Sequence, residues 1–581
     1  MLSAVQIGYK DILKDITVDF KAGGWSHIIG PNGAGKSTLI KALCGLIPLC
    51  SGQIRLHGQD LATLSLRERA KWIAYVPQRL ENLPQMTVFD FVMQSHFAIS
   101  DDHAAFIHTK RALEQVDLCH LSGRHLHTLS GGELQRAIIA AALAQNTPIL
   151  LFDEPTSSLD IAQSEAIYKL LYQIRSTGKL IITVTHDLRL ASCTADTTLV
   201  LKNGKLVWHA PGFPQDAILN AIFETTSICI APLQPQLSLN TSSPSELTNG
   251  SEPSDTPQSL SYPPSRYPIL YYSFLLLFLC LLFMPWFGAT FLDPGNLTAI
   301  DKNILIQLRI PRVIWGAVSG ATLACVGAAL QAMLQNPLAT PYTLGMASGA
   351  SLGAMITIAL GITSLWILPA TSFLGGISVM ALVLTFGTRS ATRSPTFFII
   401  TGVAASMLCS AVAMVFQALS APLTAQQMMR WQMGGLDIVG YTSFPLLPII
   451  CLCLAWLYHY ARPLDLISVD TSLAQTRGVH VQHVRRMTFI LTSIATTLVI
   501  SICGPISFVG LLVPLALRRR FGANLRQLLP LCAIMGALFI LIADMIARRL
   551  ESYAAIPVGV VVAIIGVPAV IFFLLPHHDA P

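Results

Sequence analysis

Residues Leu129–Arg136 read LSGGELQR, Ile149–Asp160 read ILLFDEPTSSLD, and ahead of both Gly30–Thr38 reads GPNGAGKST. The last string fits G-x-x-x-x-G-K-[ST], and it follows the apolar run Trp25–Ile29 and opens the helical stretch Thr38–Leu46. In that context Gly33 and Gly35 let backbone N–H groups approach a phosphate, and the start of the following helix adds a favourable dipole. Lys36 is placed to reach β- and γ-phosphates and Ser37 to ligate Mg²⁺. Asp153 ends an apolar strand, where a carboxylate can hold the same Mg²⁺, and Glu154 follows as the group that polarises an attacking water. LSGGE starts a helix, so Ser130, Gly131 and Gly132 offer donors to an anion.

The 581 residues allow several domains, and their make-up is 53% hydrophobic and only 12% charged. A soluble domain averages roughly 25% charged. The net charge of +6 is uneven: residues 1–232 hold 20 basic and 20 acidic side chains, and residues 233–581 hold 17 and 11. Only Lys302 among those 17 is a lysine. Arginine at membrane borders accounts for this excess, with no stripe for nucleic acid. The 12 cysteines fall singly, mostly within apolar runs, where Cys acts as a small hydrophobe. Cys451 and Cys453 share one run but are too few for a zinc site. The opening MLSAVQIGYKDI lacks the basic-then-apolar pattern of a signal peptide, which places the first domain on the cytoplasmic side.

Residues 1–232 alternate β-rich runs with helical stretches; Trp25–Ile29, Ile149–Phe152 and Leu180–Thr185 read as buried parallel strands, and Gly132–Gln145 as a helix. Residues 233–265 are rich in Ser, Pro, Thr and Asn without either period, and read as a flexible linker with a mean reach of roughly 30 Å. Residues 266–577 are a series of uncharged runs, beginning with Tyr267–Leu292 and Val313–Thr388. At about 20 residues per crossing they suggest about ten helices. With the ATP site inside, inner loops collect Arg389, Arg393, Arg462, Arg477, Arg485, Arg486, Arg518, Arg519, Arg520 and Arg526. Outer loops collect Lys302, Arg309, Arg312, Arg430, Arg548 and Arg549, a smaller set, as the positive-inside bias requires. The expected fold is an α/β P-loop ATPase domain followed by an all-α polytopic membrane domain.

The ordered set of strings resembles the ATP-binding cassette (ABC) transporters. Walker A is Gly30–Thr38 (Gly30, Pro31, Asn32, Gly33, Ala34, Gly35, Lys36, Ser37, Thr38), the signature Leu129–Glu133, and Walker B Ile149–Asp153. The resemblance makes Glu154 the catalytic glutamate, Gln78 in YVPQ the Q-loop residue, which also joins Ser37 and Asp153 at Mg²⁺, and His186 in VTHD the switch histidine. It makes Ser158-Leu159-Asp160 the D-loop and Tyr9 the ring under adenine, and counts Glu133 and Asp160 with the nucleotide contacts. In this family Ser130, Gly131 and Gly132 meet the γ-phosphate held by a second ATPase domain. One such domain per chain therefore implies a homodimer closed by two ATP.

Leu308–Ala354, Gly504–Pro514 (GPISFVGLLVP) and Ile556–Leu575 (IPVGVVVAIIGVPAVIFFLL) resemble the permeases that import iron-siderophore complexes, haem and cobalamin, the FecCD type. The resemblance puts a coupling helix after GLLVP, at Arg518, Arg519, Arg520, Phe521 and Gly522 within Arg518–Pro530. It makes Arg309, Arg312 and Arg548 outer-face arginines that grip a periplasmic or lipid-anchored solute-binding protein. Leu515 stands where the family has His, and Ala554-Ala555 where an acidic residue commonly precedes PVG. Asp544 near Arg548 reads as an ion pair, and Met428, Met429, Trp431 and Met433 as packing. These likenesses imply a half-transporter that imports a metal chelate across a bacterial plasma membrane: a ferric siderophore first, then haem or cobalamin. An exporter with about six crossings and a non-transporting ATP switch are the alternatives.

Overall fold

The computed structural model describes the chain except residues 81, 84–85, 99–101, 158, 225–266, 289–297, 363, 365, 390–394, 523, 551–555 and 575–581. The expected linker at 233–265, Ser158, Ala554 and Ala555 lie outside the described residues. The chain divides into two units: Met1–Pro264 with Val469–Val481, and Ser265–Ser468 with Gln482–Pro581.

The first unit carries ten strands: β1 Leu2–Tyr9, β2 Leu13–Phe20, β3 Trp25–Ile29, β4 Ser51–Leu56, β5 Gln59–Asp60, β6 Ile73–Val76, β7 Ile149–Asp153, β8 Leu180–Val184, β9 Thr197–Lys202 and β10 Lys205–Pro211. They form an antiparallel sheet β2-β1-β4-β5 and a larger sheet β10-β9-β3-β8-β7-β6. In the larger sheet β3 pairs parallel with β8 and β9, and β7 with β6 and β8. Every residue of β3, β6, β7 and β8 is buried, so both faces are covered, as near-continuous apolar strands of a parallel sheet demand. Helices α1 Lys36–Leu43, α2 Gly131–Ala144 and α3 Ile161–Arg175 follow the strings singled out in the sequence. The P-loop leaves the C-terminal end of β3, Glu154 that of β7 and His186 that of β8. Parallel strands thus send three functional segments to one edge, where open α/β sheets bind ligands.

The second unit is helical. Its main elements are α4 Tyr267–Phe283, α5 Ile310–Met333, α6 Met346–Ala359, α7 Ile367–Arg389, α8 Pro395–Leu419, α9 Leu447–His459, α10 Val481–Cys503, α11 Val509–Phe521, α12 Leu525–Leu550 and α13 Val558–Leu574. The last is a nearly uniform apolar run, whereas α5 packs through small residues. A Cβ on Gly320 of α5 would strike the Gly536 carbonyl of α12, and one on Gly327 the Gly510 carbonyl of α11. Backbones come that close because lipid offers no hydrophobic drive, and dispersion at short range must hold the helices together.

Among the described residues six helices are long and apolar enough to cross a membrane. A seventh span is the pair Phe444–His459 and Ala461–Val469, bent by 52°, and Met346–Ala359 and Val558–Phe573 are shorter apolar helices. The expectation of about ten crossings counted these short helices as full spans. Uncharged runs do not reveal where Gly and Pro bound a helix, as at Gly345, which caps the start of α6 with its φ of 84°.

Candidate functional site

The P-loop turn is built around two glycines with left-handed backbone, Gly33 at φ 78° and Gly35 at φ 95°. A Cβ at Gly35 would sit 3.0 Å from the Ile12 carbonyl, so this position also needs the missing side chain. Pro31, Asn32 and Ala34 complete the turn, with Asn32 exposed and Ala34 buried, and Thr38 lies in the first turn of α1. The Lys36 ammonium is held over the loop by the Gly30 carbonyl at 2.8 Å and the Pro31 carbonyl at 2.9 Å. Burial lowers its pKa, and Glu154 and Asp153 oppose that shift.

Ser37 Oγ donates to Asp153 Oδ1 at 2.9 Å, and Tyr75 OH lies 3.4 Å from Asp153 Oδ2. Burial raises the Asp153 pKa, and the Ser37 bond works against it. A hydroxyl and a buried carboxylate converging beside a P-loop are the hard oxygen donors that Mg²⁺ takes together with phosphate oxygens, so the residues fit that ion.

Glu154 has φ 50°, a left-handed conformation costly for a residue with a side chain. Its N–H bonds to the Val184 carbonyl at 3.1 Å, which ties it to the neighbouring strand. Strain of this kind concentrates where a side chain must be aimed. Gln78 Nε2 donates to Glu154 Oε2 at 2.8 Å, and His186 Nε2 lies 3.0 Å from Oε1. The structure therefore joins the three residues expected to be catalytic. Glu154 and His186 border a cleft of ≈ 510 Å³ that Thr156, Ser157, Thr185 and Asp187 also line. These four were not singled out in the sequence, although Thr185 and Asp187 flank His186 in VTHD.

Tyr9 ends β1, half-buried, with the Lys10 ammonium 5.3 Å from its ring centroid. Its turn runs into Ile12, against Gly35, so the aromatic ring and the P-loop share one corner. Ser130 caps α2: its Oγ accepts from the Glu133 N–H while the Glu133 carboxylate accepts from the Ser130 N–H at 2.8 Å. That bond also lowers the Glu133 pKa. Glu133 is thereby committed to shaping the helix start. Asp160 is likewise committed, capping α3 through the Gln163 N–H at 2.7 Å. Gln163 in turn packs against Gly132, where a Cβ would come within 2.5 Å of its Oε1.

In the membrane half the three arginines expected to meet a binding protein are mostly buried. Arg309 is 9% exposed and donates to the carbonyls of Pro285 and Trp286 at 3.3 and 3.1 Å. Arg548 is 4% exposed, bonds to the Phe287 carbonyl at 2.8 Å and pairs with Asp544 at 3.0 Å. Arg312 pairs with the same carboxylate at 2.8 Å. The three arginines expected to grip a partner thus bond carboxylate or carbonyl oxygens brought in by other segments of the same unit, as a buried guanidinium requires.

The segment expected to couple begins at Arg518. Arg518 donates to the Ala328 carbonyl at 2.9 Å, and the Arg519 guanidinium lies 5.8 Å from the Phe573 ring, both within the helical unit. Arg520 is exposed, Phe521 ends α11, and Gly522 caps it with φ 82°. Leu515 is half-buried within α11. The segment Val469–Val481, containing the short helix Thr471–Thr476, groups with the ATPase unit. Its sequence, VDTSLAQTRGVHV, shows no motif, so nothing local marked it.

A P-loop, a capped signature helix and a paired glutamate on one α/β domain, joined to a helical bundle with membrane-length spans, define an ATP-driven membrane transporter of the ATP-binding cassette class. The chain belongs to the FecCD transport family, whose model matches residues 273–576, and the ABC transporter model matches residues 13–157. It is 34% identical over 293 residues to an uncharacterized ABC transporter permease protein, YvrB, of Bacillus subtilis, spanning 49% of this chain and 82% of that one. It is also 34% identical over 295 residues to a vitamin B12 import system permease protein, BtuC, of Vibrio parahaemolyticus, spanning 50% and 89%. A solved inward-facing metal-chelate type ABC transporter is similar at 29% identity and TM-score 0.49, covering 53% of this chain and 98% of its own. The FecCD assignment, rather than the number of spans, separates the chain from the exporter alternative.

Proposed function

We propose that two copies of this chain form an importer for a metal chelate in a bacterial plasma membrane, with the ATPase domains in the cytoplasm. The observation that carries this reading is the presence of an ABC ATPase and a FecCD-family permease on one polypeptide. Ser37 and Asp153, with Gln78 nearby, would hold Mg²⁺, which neutralises charge on the β- and γ-phosphates when bound. Lys36 and the N–H groups of Gly33–Ser37 bind the phosphates. Glu154, its two oxygens held by Gln78 and His186, aligns and polarises the attacking water. The donors at Ser130, Gly131 and Gly132 serve ATP held by the second copy, so closure requires both. The segment Val469–Val481 carries that closure to the bundle. A solute-binding protein, periplasmic or lipid-anchored, delivers the chelate.

Ferric siderophore is the first cargo, with haem beside it; the similarity to vitamin B12 permeases favours cobalamin as a second reading. Accumulation of radiolabelled chelate in vesicles supplied with ATP and the binding protein tests both. Uptake of ferric chelate that unlabelled cobalamin does not compete supports the first reading, and competition supports the second. No ATP-dependent accumulation of either, or uptake unaffected by Glu154→Gln, overturns import.

A further inference from the structure

Arg477, on the segment that joins the ATPase unit, is only 1% exposed. Its guanidinium lies 5.2 Å from the centroid of the Phe91 ring, and its Nη1 has no hydrogen-bond partner among the described residues. Among the described residues Asp470, at the other end of the short helix, is the acidic influence on it, and that carboxylate already accepts from the Leu473 N–H and the Ser472 hydroxyl. His96 is also close, and burial pushes its pKa down to about 4, so it adds no positive charge at neutral pH. A buried cation with an aromatic face as its chief partner is a costly way to fill space. A leucine would pack there without that cost, so stability alone does not account for the guanidinium.

The surroundings give it a direction of action. Phe91 is fully buried on the helix Val88–Met93, which packs on α2, the helix that Ser130 caps. At the far end of α2, Gln145 caps the C-terminus, and its side-chain amide donates to the Ala70 and Ile73 carbonyls at 2.6 and 3.1 Å. The same amide approaches the Thr476 carbonyl at 3.5 Å. Next along the segment, Gly478 has φ 94°, and a Cβ there would lie 3.1 Å from Arg67 Cα. The chain around Arg477 is therefore pressed against the ATPase backbone on one side and against the base of α2 on the other.

We propose that Arg477 is a positioning residue for the signature helix. Through Phe91 it fixes how the permease-derived segment grips the helices behind α2, and α2 acts as the lever that sets Ser130 against nucleotide. The proposal rests on the transport reading above and adds the side chain through which that coupling runs.

The test uses the full chain in proteoliposomes, with Mg-ATP as the probe. Two quantities are measured on one preparation: ATP hydrolysis, and the ATP-induced change in amide-hydrogen exchange across Val481–Cys503. For Arg477→Leu, kcat falls at least fivefold (roughly) while KM for ATP shifts less than about twofold, and the exchange response is lost. Arg477→Lys recovers at least half of both, because a lysine keeps a cation over the ring. Phe91→Leu reproduces Arg477→Leu, and the double variant loses nothing more. Wild-type kcat and exchange response in Arg477→Leu would overturn the proposal. So would equal losses in the Lys and Leu variants accompanied by the same fall in unfolding temperature, since that pattern is purely structural. A wild-type chain that hydrolyses ATP with no exchange response would overturn the transport reading itself, and this proposal with it.

Discussion

The ATP site and the arginine cluster of the membrane unit both gather charge, and they use it in opposite ways. Around Glu154 the bonds run between groups that a ligand can reach: the His186 side chain is 41% exposed, and the cleft beside them is open. Around Asp544 the carboxylate is fully buried, and Arg312 and Arg548 close over it. One arrangement keeps acceptors and donors available for chemistry. The other satisfies them internally, so that charged side chains can end apolar helices without leaving an unpaired ion. Position near a helix end is therefore a poor guide to whether an arginine is free to meet a partner.

The comparison breaks most sharply at Glu154. Glu154→Gln should retain ATP binding and lower hydrolysis by about 10²–10⁴-fold, measured as phosphate release beside nucleotide binding. If Glu154 were no more than a strand-end cap, the rate would hold.

Asp544→Ala comes next. It leaves a buried Arg548 uncompensated and should destabilise the membrane unit by about 3–5 kcal/mol, read as a lower unfolding temperature in detergent. A surface-like effect below about 1 kcal/mol would mean that the cluster is solvated after all.

The ATPase unit has its own buried titratable group in His27, stacked with Tyr168, tilted against Trp25 and bonded through Nε2 to Thr194 at 2.9 Å. Burial lowers its pKa from 6.5 to about 3. Above pH 6.5 it contributes no pH dependence, since folded and unfolded chains are both neutral there. As the pH falls through that value the unfolded chain takes up a proton that the folded chain refuses, so stability declines toward pH 3. The loss reaches at most about 5 kcal/mol. Thermal unfolding followed from pH 7 to 4 should slope less in His27→Gln than in the wild type.

The smallest effect belongs to Ser130→Ala, which removes one half of a capping box and should cost about 1 kcal/mol of stability. Ser130→Asn keeps an acceptor for the Glu133 N–H and should restore most of it. Hydrolysis that stays low in the Asn variant would separate the role of Ser130 toward nucleotide from its role as a cap.

Much of the ATPase domain was legible because each of its strings carries its own local geometry. Gly33 and Gly35 permit the P-loop turn, Ser130 and Glu133 form a cap three residues apart, and the runs ending at Asp153 and Val184 are too uniformly apolar for a surface strand. The order of the strings along the chain did the rest. The caps formed by Glu133 and Asp160 could not be told from ligand contacts in the sequence, because both use the same residue types at a helix start. In the membrane unit the uncharged runs located helices but not their ends. The short α6 and the bend after His459 depend on Gly and Pro within runs of even hydropathy.

The linear order of residues sufficed for the class of protein, the nucleotide site and the membrane half, because those rest on contacts between near neighbours and on total apolar length. Which arginines are paired and which later segment groups with the ATPase unit came from the folded arrangement alone. Arg312 and Asp544 are 232 residues apart, and Gln145 and Thr476 are 331 apart. Whether such a group is solvated or paired turns on what the rest of the chain brings beside it, since the free energy of a buried charge is set by its neighbours in space.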